Sequence, residues 1–399
     1  MSTIGNFHAR LGNQGNPSLL PQYERLTKIE PGRNPFVSGT PLPGNSPAFF
    51  GRSEIIREIL ATLRHPEKPG CVSLLGERRM GKSSLLNQVF WALGNEEGLI
   101  TILTDPQGWL ERYNTVDFFA DLHRAIVEVL PDDPDPSPSP INYSEFGDFI
   151  REKVEHYRFV LILDEFETIA NNPKFGENFF ANLRHLGSTP EFAFGYLLAS
   201  RRPLSELKEQ CPAFESSSFW NIFGLAHMVG LLQPEEAMEL ITELWQRSLG
   251  APLAEEKIAN IERKVGLHPA FIQMIMEKKW HANQRKHSLD WDETKPRLRK
   301  YFEQLWEHRT PEELKILLKI AKNKDNILTE EELPENATLS DLRTRGLITP
   351  DNRFFSEFFG EFIPDSVLTE AKPHKKAIHG ILNIAKVVGK VRNVLKPQK

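Results

Sequence analysis

The stretch "CVSLLGERRMGKSSLLNQV", Cys71 to Val89, decides how the rest of the chain is read. An apolar run enters a loop bounded by Gly76 and Gly81, Lys82 and Ser83 follow, and a second apolar run begins at helical spacing. Gly76-Glu77-Arg78-Arg79-Met80-Gly81-Lys82-Ser83 fits G-x-x-x-x-G-K-[ST] without a mismatch. The pattern has a mechanical reason. Glycines permit the backbone angles that turn successive N–H groups inward on phosphates, and the following helix presents its positive N-terminal end. The lysine and serine then reach the β/γ-phosphates and a Mg²⁺ ion. An ordinary glycine turn is the competing reading. Position favours the cradle, because this loop lies between a strand-like and a helix-like run.

Outward from the loop, "SEIIREILATL" and "SSLLNQVFWAL" repeat apolar residues at helical spacing, while "CVSLL", "LITILTD", "FVLILD" and "FAFGYLLAS" are short apolar runs typical of buried strands. "TVDFFADLHRAIVEVL" and "YSEFGDFIREKVEHY" read as helices between them. This alternation predicts an α/β core over residues 48–232, a parallel sheet covered on both faces. "FVLILDEFE" then places Asp164 and Glu165 at a strand end, where the ligand crevice of a parallel sheet lies. Adjacent carboxylates there divide the work: Asp164 orients the metal and its waters, and Glu165 polarises an attacking water. Alone, an Asp-Glu pair after a strand is commonplace and more often a solvated turn.

The remaining regions are set by composition. Residues 1–47 are rich in Gly, Pro, Asn and Ser without periodicity, and read as an extended N-terminal arm laid on a domain or as disorder. "PDDPDPSPSP", Pro131 to Pro140, reads as a surface loop. Amphipathic helices dominate 233–309, a helical lid domain, and 310–363 offers helices followed by two short apolar runs around "PDN", the pattern of a winged helix. Residues 364–399 form a basic amphipathic tail. From residue 371 it holds eight Lys and Arg and no acid, so the net charge of -5 divides into +8 for the tail and -13 for the remainder. No run approaches the roughly 18–20 apolar residues of a membrane span, and the polar start lacks the apolar middle of a signal peptide. Cys71 and Cys211 have no metal-type spacing. A cytoplasmic protein is expected, peripheral at an anionic membrane if the tail's apolar stripe and lysines lie in the interface; docking of the tail on its own acidic body and nucleic-acid contact are the alternatives.

Five short motifs in one order carry a family resemblance: "FFGR" at Phe49 to Arg52, the phosphate loop, "LILDE", "ASRRP" and "GLHPAF". Over Asn34 to about Ile363 the chain resembles the STAND class of AAA+-related signalling ATPases, prokaryotic AAA-type proteins similar to NB-ARC domains and, more distantly, to archaeal origin-recognition ATPases. The resemblance implies ATP or ADP with Mg²⁺ as cofactors. It implies that Phe49, Phe50, Gly51 and Arg52 lie beside the adenine, that the loop run through Ser84 touches the phosphates, and that Ser83 and Asp164 serve the metal. Arg201, better than Ser200, matches the sensor that touches the γ-phosphate, and joins Lys82 and Glu165 in the chemistry. Gly266, His268 and Pro269 match the lid motif, with Pro269 over the adenine; Pro269 is also an ordinary first-turn proline. Arg184 matches the place of an arginine finger, although a surface arginine is the plainer reading. The Met-His-Asp triplet of NB-ARC proteins is missing, and no long superhelical repeat array follows.

Two functions follow. One is a slow, regulatory ATPase switch that self-associates in its ATP state and signals to a protein partner. The other is a DNA-associated AAA+ ATPase that uses the winged helix. Residues 310–363 hold seven Lys/Arg against eleven Asp/Glu, and an acidic module is a poor reader of duplex DNA. The charge therefore favours the switch.

Overall fold

The computed structural model describes residues 7–13, 19–109, 111–131, 141–307, 309–323 and 335–369, with no side chains described for 364–369. Most of the Pro131–Pro140 segment and the basic tail lie outside them, as do Glu330 to Glu332. The described residues fall into two compact units: the first within Met1–Thr27, Pro41–Gly76 and Gly81–Val229, the second within Lys28–Thr40, Glu77–Met80 and Gly230–Lys399.

In the first unit the elements run β1 (Phe7–Leu11), α1 (Gln22–Leu26), α2 (Ser53–Leu63), β2 (Cys71–Leu75), α3 (Lys82–Leu93), β3 (Leu99–Thr104), α4 (Thr115–Val127) and α5 (Tyr143–Lys153). They continue as β4 (Arg158–Leu163), α6 (Glu167–Ala170), α7 (Glu177–Ser188), β5 (Phe194–Ser200), α8 (Leu204–Gln210), α9 (Pro212–Ser217) and β6 (His227–Met228). The sheet order is β1-β3-β4-β5-β2-β6. All neighbours are parallel except β1, which pairs antiparallel with β3 through Ala9 opposite Ile102. Side chains of a strand alternate between faces, so the unbroken burial of Phe194–Ser200 means that β5 is covered on both. The "FVLILD" and "FAFGYLLAS" runs are continuous rather than alternating for this reason.

Helix starts follow local chemistry. Asn114 and Asp117 form a reciprocal capping box before α4, and Asn142 and Glu145 do so before α5. The core is rich in phenylalanine: Phe118, Phe119, Phe146, Phe159, Phe166 and Phe179 belong to one buried cluster. The N-terminal region, expected as an extended arm laid on a domain or as disorder, contributes an edge strand. Its first strand lengthens the sheet, a role its glycine-rich composition conceals.

The second unit holds α10 (Pro234–Leu249), α11 (Glu255–Val265), α12 (Pro269–Gln284), α13 (Trp291–Trp306), α14 (Pro311–Lys322), α15 (Ala337–Thr344) and α16 (Glu357–Thr369). Proline opens α10, α12 and α14 at the first turn, where its missing N–H costs no helical bond. After α15 the chain turns back at "TPDN", with one antiparallel bridge, Ile348 to Phe354, and Thr349 N–H donating to Arg353 O at 2.8 Å. Among the described residues no helix is long and apolar enough to cross a membrane.

Candidate functional site

Strand β2 delivers the chain to Gly76; its neighbour β5 ends at Ser200 and β4, on the far side of β5, ends just before Asp164, so the parallel C-terminal ends share one edge of the sheet. The two loop glycines are needed for different reasons. Gly81 has φ +93 and caps α3, whereas a Cβ on Gly76 would lie 2.5 Å from the Val229 carbonyl oxygen. The first supplies conformation and the second closeness of approach. Lys82 is buried and its Nζ donates to Gly76 O at 2.9 Å, spanning the loop it follows.

Asp164 is buried, its N–H bonds Thr104 O at 3.1 Å, and its side chain is hydrogen-bonded to Ser83. Burial pushes its carboxyl upward, opposed by the Ser83 bond and the Lys82 charge. Glu165 follows with φ +43, a left-handed conformation that costs a non-glycine residue about 1–3 kcal/mol. Its N–H bonds Asp164 Oδ1 at 2.9 Å. Burial, then the neighbouring charge of Glu167, raise its carboxyl to about 7.

Sequence reasoning passed over Glu167, although the acid two positions beyond Glu165 in "DEFE" was the available signal. Its Oε1 accepts from Arg201 Nε at 2.6 Å, and the same Nε lies 3.8 Å from Glu165 Oε2. Burial works to raise Glu167, but the Arg201 bond and charge outweigh it and hold the carboxyl below its ordinary range. The Ser200 hydroxyl is occupied by the Arg202 carbonyl at 2.8 Å. Of the two sensor candidates, only Arg201 presents a cation to the carboxylates.

Phe49 and Phe50 are buried, and Gly51 and Arg52 take φ of +70 and +64 before α2. The preceding chain is laced to α3: Leu42 N–H donates to Ser84 Oγ at 2.9 Å, and Gln88 Nε2 to Pro43 O at 2.8 Å. Ser84, expected with the phosphate loop, holds the arm through its hydroxyl. Arg25, also missed, donates to the carbonyls of Ser46 at 3.2 Å and Phe49 at 3.1 Å. Burial pushes Arg25 down to about 10. On α7, Arg184 is exposed.

In the second unit, Glu77 is buried and ion-paired, Met80 is buried, Arg78 is half-buried, and the Arg79 guanidinium lies 4.2 Å from the Tyr301 ring centroid. Gly266 has φ +67, and a Cβ there would collide with the Phe355 carbonyl. His268 is buried and stacks on Phe271 at 3.9 Å, and Pro269 opens α12.

No protein-family model matches the chain, and no curated protein matches it in sequence. In structure it is similar to a Walker-type ATPase of Pyrococcus abyssi, at 16% identity and a TM-score of 0.53, over 85% of this chain and 99% of that one. Weaker likenesses include the ORC2 protein of Aeropyrum pernix (16% identity, TM-score 0.49, 90% of this chain and 98% of that one). Another is Cdc6p of Pyrobaculum aerophilum (14% identity, TM-score 0.43, 88% and 98%). The chain thus has the mixed α/β fold of a P-loop ATPase with a mostly parallel sheet.

The side chains also fit nucleotide and metal. Ser83 and Asp164 are hydrogen-bonded to each other beside the charge of Lys82, a pair of hard oxygen donors of the kind Mg²⁺ takes. Gly76 lets the loop pass close to the Val229 carbonyl, and Gly81 takes the left-handed φ that opens α3.

Proposed function

We propose that this protein binds ATP·Mg²⁺ and hydrolyses it slowly as an AAA+-type ATPase whose nucleotide state governs a mechanical output. The observation that carries this reading is the gathering of Lys82, Ser83, Asp164, Glu165 and Arg201 at one sheet edge. Lys82 supplies positive charge to the β/γ-phosphates, and Ser83 and Asp164 would hold the metal. Mg²⁺ held there would supply positive charge against the phosphate oxygens. Glu165 takes the proton of the attacking water on its carboxylate, and Arg201 leaves Glu167 to meet the γ-phosphate. Phe49, Phe50, Gly51, Arg52 and Pro269 are proposed at the adenine, and Arg184 as a finger toward a second copy.

Lys82→Ala should lose nucleotide binding, and Glu165→Gln should keep ATP while its hydrolysis stops; calorimetric titration and phosphate release measure the two. Tight ATP binding by Lys82→Ala, or wild-type turnover by Glu165→Gln, sinks the assignment.

Two outputs suit such an ATPase. Self-association and signalling of the STAND kind rest on the motif resemblance. Association with DNA has an observation of its own: Arg285, Lys286 and His287 follow α12 exposed, with His281 exposed on its last turn. The charge count over 310–363 omits this turn. Mutating Arg285 and Lys286 to Glu should weaken duplex binding and flatten its salt dependence, about one unit of slope per lost phosphate contact. Duplex affinity untouched by the double change removes this turn as the contact.

A further inference from the structure

Four charged side chains of the second unit are buried together: Glu77, Arg309, Glu313 and Arg345, each with 5% or less of its side chain exposed. Arg309 Nη2 donates to Glu77 Oε1 at 2.7 Å, and Arg345 Nη2 lies 2.5 Å from the same oxygen. Arg345 Nη1 donates to Glu313 Oε1 at 2.6 Å, and Arg309 Nη1 lies 3.5 Å from it. Glu313 is tied further, because its Oε2 accepts from Thr310 N–H at 2.6 Å in the capping box of α14. Two acids and two bases thus close a neutral ring, in which each carboxylate faces both guanidiniums.

The members come from three places in the chain. Arg309 and Glu313 flank the start of α14, Arg345 immediately follows α15, and Glu77 is the residue after the first glycine of the phosphate loop. A buried charge stripped of its partner is expensive, so Glu77 has no cheap alternative position while Arg309 and Arg345 stay where they are. The loop crown, Glu77 to Met80, belongs to the compact unit built by these helices. Arg79, at φ +65 over Tyr301 of α13, gives the crown a second hold on it.

We propose that this ring is a clasp coupling nucleotide at the phosphate loop to α14 and α15, with Glu77, Arg309 and Arg345 as positioning residues for phosphate binding. The proposal rests on the ATP-binding reading above. A crown held by the clasp has its backbone ordered before phosphate arrives; without it, that ordering is charged against binding. Coupling is reciprocal, so nucleotide on the loop steadies α14 and α15 by the same factor by which the clasp tightens nucleotide.

The test uses the full chain. In the wild type, saturating ATP should slow amide hydrogen exchange in 311–322 and 337–345. Glu77→Gln and Arg345→Met should each bind ATP about tenfold more weakly, and the double variant should be no worse than the poorer single one. Arg345→Lys should recover part of the loss, by restoring charge without the two-pronged geometry. Wild-type ATP affinity in both single variants, or exchange in both helices unmoved by ATP in the wild type, overturns the clasp. The exchange measurement stands if a variant fails to fold. A wild-type chain that binds no ATP is a different result, and overturns the ATPase reading together with the clasp.

Discussion

Glu165 is held in a costly state. It is a half-buried carboxylate at positive φ, beside Glu167, and its carboxyl is raised to about 7. Between the ordinary carboxylate range and pH 7 the folded chain therefore keeps a proton that the unfolded chain has lost, and stability falls as pH rises through that window. Glu165→Gln removes the titrating group. Its nucleotide-free melting temperature should exceed that of the wild type at pH 8, and the gap should narrow toward pH 5.5; a gap independent of pH contradicts this account. Arg201 shows the same economy, since one guanidinium lies against two carboxylates. Arg201→Ala should leave ATP affinity within a few-fold and lower the hydrolysis rate by about 10²-fold or more, the scale of losing one preorganised charge at a transition state. Single-turnover kinetics separates the two effects. Asp164 and Glu165 were legible in the sequence because an apolar run ending in two acids is a local pattern. Glu167 was not, because its partner lies 34 residues further on and meets it only when β4 and β5 lie side by side.

At the level of elements, the β2–loop–α3 unit depends on Gly76 in a way that φ alone does not reveal. Gly76→Ala would set a Cβ 2.5 Å from the Val229 backbone carbonyl, which has no rotamer to yield, so the chain just after β6 or the loop must move. The change should cost about 1–3 kcal/mol of stability and weaken ATP binding, both readable by melts and titration. An unchanged melting temperature would mean that the Val229 segment shifts freely. Strand β1 makes a second case. It covers the edge of β3, and Phe7 stacks on Trp109 at 6.1 Å between ring centroids and meets Phe118 edge-on at 5.5 Å. Removing residues 1–13 should expose an unpaired strand edge and part of that aromatic cluster, lowering the melting temperature and promoting aggregation. Light scattering on heating checks it, and a truncated chain as soluble and as stable as the parent makes β1 dispensable. The core strands and their helices were readable from periodicity. β1 was not, because an edge strand of five residues between polar, glycine-rich flanks has too little pattern to register.

On the scale of the whole molecule, the proposed switch makes one decisive prediction: Glu165→Gln with ATP should sediment as a larger species than the same variant with ADP at micromolar concentration, and Arg184→Ala should abolish the increase. Equal sizes in both nucleotides sink intrinsic nucleotide-driven assembly while leaving the DNA-associated output standing. Buried arginines bear on that second output. Arg309 and Arg345 are committed to Glu77 and Glu313, and Arg345 is one of the seven basic groups counted over 310–363, so that count overstates by one what this region presents to a phosphate backbone. The sequence by itself determined the α/β core, the phosphate loop between strand and helix, and the acidic pair at a strand end, because each is written in residues within one turn or one strand of each other. Only the tertiary structure decided that Glu77 faces two arginines more than two hundred residues away, that Glu167 holds Arg201, and that the N-terminal segment completes the sheet. Long-range pairing of charges and of strand edges leaves no local period in a chain, and folding alone brings those partners together.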